Sequence, residues 1–227
     1  MKSALRIALV VALVLIVQQM VLGSSIITMP TADVAPPGLI NLAAYVVDFN
    51  DLPDPPLAPS GMNVYIAYAA IAENLELEAN VYDQKDGFDT LTFFNLTYKV
   101  VEATATRPQI SVGVKNVLGE TLGNGDVAPN DNPTYFVTAF KVLSAPAPGE
   151  PFKPIVRIHA GLGNNLHEGL FGGIQAMVTP QIGLALLNDA EQTLISADFK
   201  PSANSPTFKA GTLGDHRWFG IDYDLKF

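Results

Sequence analysis

His159, His167 and His216 are the side chains of this sequence whose ordinary pKa suits proton transfer near neutrality, and there are three of them in 227 residues. His167 abuts Glu168 and His216 follows Asp215, so each has a carboxylate beside it, as an acid–base pair at the mouth of an outer-membrane hydrolase would require. Adjacent residues of an extended segment point apart, however, and both pairs fall in turn-rich stretches, "NNLHEG" and "LGDH", where such groups are ordinarily solvated. We therefore expect no catalytic residue. Zinc takes three or four ligands, the chain has no cysteine, and no His, Asp or Glu is spaced to complete a set, so no metal is expected either. "GLGNNL", from Gly161, lacks the third glycine and the helix of a dinucleotide loop, which leaves no cofactor. "NLT" at Asn95 has the form of a glycosylation acceptor but lies inside a strand pattern.

The elements that hold these residues have a period of two. In "NLELEANVYD", Leu75, Leu77, Ala79 and Val81 share one face while Glu76, Glu78 and Asn80 share the other. The same alternation returns in "FFNLTYKVV", "QISVGVKN", "PIVRIHAGLG" and the last stretch, "WFGIDYDLKF". Turns rich in Gly, Pro, Asn and Asp separate the runs, and counting between them gives about 12 strands, within a range of 10–14. Consecutive strands joined by turns make an antiparallel up-and-down meander, and closing it into a barrel removes both sheet edges. The fold class read from the sequence is all-β.

Composition fixes the surroundings. Charged residues make up 15%, against the roughly 25% usual in soluble proteins, and hydrophobic residues 48%. A net charge of -9 with no basic cluster argues against nucleic acid. Lys2 and Arg6 precede "IALVVALVLIV", and the small residues "VLGSS" follow, the pattern of a cleaved secretory signal over residues 1–23. The remainder, 24–227, is expected to be one domain.

A membrane barrel turns a soluble β-protein inside out, with apolar residues toward lipid and polar ones toward the lumen. The polar face here carries Glu76, Glu78, Asn95, Lys99, Lys115, Arg157, His159, Asp222, Asp224 and Lys226, a mixed-sign set able to pair across a narrow interior. Aromatics gather near strand ends, among them Tyr82, Phe93, Phe136, Trp218 and Tyr223, as interfacial girdles do. Gly220, Tyr223, Leu225 and Phe227 space out a terminal strand similar to the insertion signature of bacterial outer-membrane barrels. The expected place is the outer membrane, with its lipid and the barrel-assembly machinery as partners. Two acidic loops, "NDLPDPPLAPSG" and "GETLGNGDVAPNDNP", would then lie on the outer side, and "SAPAPGEPFKP" would be a long turn on the periplasmic one.

Three stretches carry a more particular likeness. "ITMPTADVAPPGLINLAAY", then "PQISVGVKNVLGE" with "YFVTAFKVL" and "VRIHAGLGNN", then "GLFGGIQAMVTPQIGLALLND" resemble the YjbH-type outer-membrane proteins associated with exopolysaccharide production. The family's acidic-aromatic ending of the last stretch is replaced here by Leu187, Asn188 and Asp189. The resemblance implies a non-enzymatic barrel that helps produce or export polysaccharide, with polysaccharide or export proteins as partners, or a small porin-like barrel. The alternatives are a secreted soluble β-rich binding module or adhesin, and the hydrolase built on the loop histidines.

Overall fold

Alternating apolar and polar residues satisfy their backbone only by pairing with neighbours, and a long meander of them closes on itself. The computed structural model describes residues 25–26, 29–49, 59–118, 132–146 and 150–227. The signal expected over 1–23 and most of both acidic loops lie outside the described residues. Two short strands, β1 (Ser25–Ile26) and β2 (Met29–Pro30), pair with each other. Twelve more form a closed antiparallel barrel.

The barrel strands are β3 (Leu39–Asp48), β4 (Gly61–Ala72), β5 (Leu75–Gln84), β6 (Thr90–Val101), β7 (Gln109–Lys115) and β8 (Thr134–Ser144). They continue as β9 (Ile155–Gly163), β10 (Gly169–Met177), β11 (Ile182–Asn188), β12 (Thr193–Phe199), β13 (Thr207–Leu213) and β14 (His216–Lys226). Each pairs with its sequence neighbours, and the seam is β14 against β3, in register from Arg217 opposite Asp48 to Lys226 opposite Leu39. An even strand number brings β3 in and β14 out at one end, called the near end here. Register shifts at Ala70/Ala72, Lys99/Val101 and Val142/Ser144 all fall toward that end.

Burial follows the alternation with the sense of a membrane barrel. Along β5 the inward residues are Glu76, Glu78 and Asn80, all buried. The outward positions of the twelve strands are apolar through their middles: Leu42, Tyr65, Val112, Ile158, Leu184 and Ile195 are all exposed. Charge reaches the outer face only at Asp48, Asp83, Arg217 and Lys141, each toward a strand end. Lys141 bends back to the Thr106 carbonyl of the near-end β6–β7 loop at 2.6 Å.

The inside is tight because four inward glycines each sit directly across from an inward aromatic ring. The pairs are Gly113 with Phe136, Gly161 with Phe171, Gly211 with Trp218 and Gly220 with Tyr45. A Cβ at Gly161 would lie 2.3 Å from Phe171 Cε2, and one at Gly220 2.1 Å from Tyr45 Cδ1. The ring of one strand thus lies over the bare backbone of the next, the packing known as aromatic rescue. Tyr82, Phe93, Phe136 and Trp218 therefore point into the barrel and do not join the outer girdle read from the sequence; their phase along each strand places them on the polar-facing side. Tyr135, Phe219 and Tyr223 do face outward.

Candidate functional site

Three structural parts occupy the interior. The first is the chain leading into β3. Residues 29–35 run inside the barrel, with Met29, Thr31, Ala32, Asp33 and Ala35 all buried. Prolines at 30, 36 and 37 keep this stretch out of the barrel's sheet, since they lack the N–H a ladder needs. Its own backbone bonds to lumen side chains: the Ala32 carbonyl accepts from Gln109 Nε2 and from Ser111 Oγ (2.6 Å), and the Ala35 N–H donates to Glu76 Oε2 at 2.7 Å. Asp33 faces the Arg157 guanidinium at 3.5 Å, and that guanidinium lies 5.1 Å from the centre of the Phe140 ring. Gly38, at φ +81°, makes the bend into β3, where a Cβ would meet the Phe227 carbonyl oxygen at 2.9 Å. Phe227 in turn donates its N–H to the Gly38 carbonyl at 3.1 Å.

The second part is a wall on β3, β4, β13 and β14 that mixes a dry cluster with one buried ion pair. Tyr45, Val47, Val64, Ile66, Tyr68 and Trp218 belong to the cluster, and Tyr45 meets Trp218 edge to face at 5.9 Å. Lys209 pairs with Asp222, whose other oxygen accepts the Tyr45 hydroxyl. Nearer the end, Asp224 takes Asn41 Nδ2 at 2.8 Å and Lys200 Nζ at 3.0 Å, in a more open setting. On the opposite side Gln175 bonds His159 at 2.8 Å.

The third part is a far-end cavity of ≈ 210 Å³ between the tops of β5, β6, β7 and β8 and the turns that follow β9 and β11. Glu78 holds Asn80 Nδ2 at 2.9 Å and also receives Asn95 Nδ2. The Asn95 side-chain Oδ1 accepts the Asn116 backbone N–H at 2.9 Å. His167, on the short 3₁₀ turn Asn165–His167, is buried, and its Nδ1 lies 3.2 Å from the Asp189 carbonyl. This imidazole is therefore not the solvated loop group that its sequence neighbourhood indicated, and the neighbouring Glu168 is exposed and turned away. His216 packs its ring on Phe49 at 5.0 Å, while Asp215 is exposed.

Of the polar residues singled out in the sequence, Glu76, Glu78, Asn95, Lys115, Arg157, His159 and Asp222 are buried inside the barrel, and Asp224 partly so. Lys99 sits at the near rim, paired with Glu102 of the adjoining loop, and Lys226 is exposed at the end of β14. Tyr223, Leu225 and Phe227 are exposed on the outer face, Phe227 at 82%, while Gly220 faces inward under Tyr45. Sequence reasoning missed the inner segment, and the one signal for it is a low-charge stretch with too many prolines for a strand. Outside the strands, hydrogen bonds from the Ser60 hydroxyl and backbone N–H hold the Asp86 carboxyl below its ordinary value of 3.8, the backbone bond measuring 2.6 Å.

Among the described residues there is no group of three or more His, Asp or Glu able to hold a metal ion. No protein-family model matches the sequence, and no curated protein matches it. Among solved structures, the KdgM porin in complex with disordered oligogalacturonate has a similar fold, with a TM-score of 0.51 and 12% sequence identity over 83% of this chain and 99% of that one.

Proposed function

We propose that this chain is a non-enzymatic bacterial outer-membrane barrel, exported by the signal at 1–23, that serves exopolysaccharide production at the cell surface. The observation that carries the membrane placement is the inverted burial: carboxylates and amides inside, a charge-free band of Leu, Ile, Val and aromatic residues outside. Water would not wet such a band without a partner, and a lipid bilayer is the partner whose geometry is a ring around a cylinder. Gly220, Tyr223, Leu225 and Phe227 then act as the sequence read by the barrel-assembly machinery. Fractionation with heat-modifiable gel migration tests the reading: the folded barrel runs faster than the boiled one and pellets with membranes, and recovery in a soluble fraction overturns it.

The way the interior is occupied supports the polysaccharide role. The stretch "MPTADVAPPG", part of the likeness to YjbH-type proteins, is the one that fills the near-end lumen, which favours a barrel that holds or guides a polysaccharide over a freely open pore. A small open porin is the second reading, favoured by the likeness of fold to the KdgM porin. Oligogalacturonate, the ligand of that protein, is a polyanion. Among the described residues the buried charges are Asp33, Glu76, Glu78, Asp189 and Asp222 against Lys115, Arg157 and Lys209, so a polyanion is not the solute this interior is built to attract.

A further inference from the structure

The far-end cavity contains a polar group that the described residues leave unsatisfied. Asn116 is 8% exposed, lines the cavity, and neither its Oδ1 nor its Nδ2 has a hydrogen-bond partner among the described residues. Its backbone is fixed at φ +52° and its N–H is tied to Asn95, so the fold sets where the side chain starts from. A buried amide with both ends unmet is costly unless something else supplies one acceptor and one donor. Neighbouring hydroxyls on a sugar ring supply both at once.

The rest of the cavity fits the same ligand. Tyr82 and Phe93 form one wall, edge to face at 4.9 Å, an apolar surface on which the C–H face of a sugar can lie. Thr134 and Gln192 add hydroxyl and amide groups around it. At ≈ 210 Å³ the space is below the roughly 300–1,000 Å³ of drug-sized pockets, which suits a single sugar ring with the remainder of a chain leaving by the mouth. Three carboxylates, Glu78, Asp189 and Glu191, face one ammonium, Lys115, so the field opposes an acidic sugar.

We propose that this cavity is a binding subsite for one neutral, hydroxyl-bearing sugar residue, oriented by the Asn116 amide and the Tyr82–Phe93 wall, and that it discriminates against uronates. The proposal rests on the outer-membrane placement proposed above, with the far end, opposite the end where β3 enters and β14 leaves, facing outward. The test is calorimetric titration of the folded, detergent-solubilised barrel with maltotriose, mannotriose and trigalacturonate at low salt. At least one neutral trisaccharide is expected to bind saturably, trigalacturonate at least tenfold more weakly. Asn116→Gly keeps the backbone conformation while removing the amide, and is expected to weaken neutral-sugar binding at least tenfold with heat-modifiable migration unchanged; Asn116→Asp serves if the glycine variant does not fold. Failure of both neutral sugars to bind, equal binding of trigalacturonate, or undiminished binding by the folded Asn116 variant would each overturn it. A membrane-recovered, heat-modifiable barrel that binds neither neutral sugar sinks only this inference, whereas a soluble product sinks the placement as well.

Discussion

Lys209 and Asp222 offer a measure of how dry the barrel interior is. Their side chains are 6% and 8% exposed, and Asp222 also accepts the Tyr45 hydroxyl, so Asp222→Ala strands an ammonium and a phenol in a nearly water-free wall. Removing one member of a buried pair costs about 3–5 kcal/mol. Asp198, which also lies in the field of Lys209, brings the figure toward the lower end, about 3 kcal/mol. Lys200 and Asp224 are 24% and 18% exposed, and Asp224→Ala is expected to cost only about 1 kcal/mol. The double change Lys209→Met with Asp222→Leu should recover most of the loss, because apolar residues of similar size replace a buried pair at little or no cost. The single tryptophan, Trp218, is buried beside Tyr45, so urea unfolding of the refolded protein read by its fluorescence reports on this wall directly. If Asp222→Ala is no more harmful than Asp224→Ala, or if the double variant is no more stable than Asp222→Ala, the wall is wet and the reasoning fails.

Removing residues 29–36 should raise the single-channel conductance of the barrel in planar bilayers well above that of the intact chain, and equal conductances would show that this stretch does not close the lumen. Gly220→Val places a Cβ 2.1 Å from Tyr45 Cδ1 at the seam, and overpacking of this kind is expected to cost about 1–3 kcal/mol in the same urea assay. The Asp86 carboxyl is held below 3.8, so its bond to the Ser60 N–H contributes at neutral pH and disappears as pH falls through the lowered value. Hydrogen exchange at Ser60, corrected for intrinsic rate, should stay slow down to pH 3.8 and speed up below it; loss of protection already at pH 5 would contradict this.

The strands whose faces differ in polarity were legible before any coordinates. β5, β9 and β14 alternate charge with hydrocarbon, and that alternation fixes both period and facing. β4 reads "GMNVYIAYAAIA", apolar on both sides, because Val64, Ile66 and Tyr68 line the dry inner wall while Tyr65 and Ile71 face outward. Period-two logic has nothing to distinguish there. The far-end site was harder still. Glu78, Asn95 and Lys115 could be placed on the inner face, but Asn116 follows the last residue of β7 in a left-handed turn, where strand alternation no longer says which way a side chain points. His167 misled for the same reason: a histidine in a turn reads as wet, and only the folding of that turn into the barrel mouth buries it. The glycine–aromatic pairs needed register, which depends on loop lengths that pattern does not supply.

The inner stretch is joined to β3 by Pro36, Pro37 and Gly38, with no intervening linker. Its departure and return are thus unimolecular events, and a tether this short keeps the local concentration of the stopper at roughly millimolar or above. No soluble peptide at cellular levels could compete with it for the same berth. Any opening would be timed by how long a few bonds to Glu76, Gln109 and Ser111 survive, and would reset itself without fresh material.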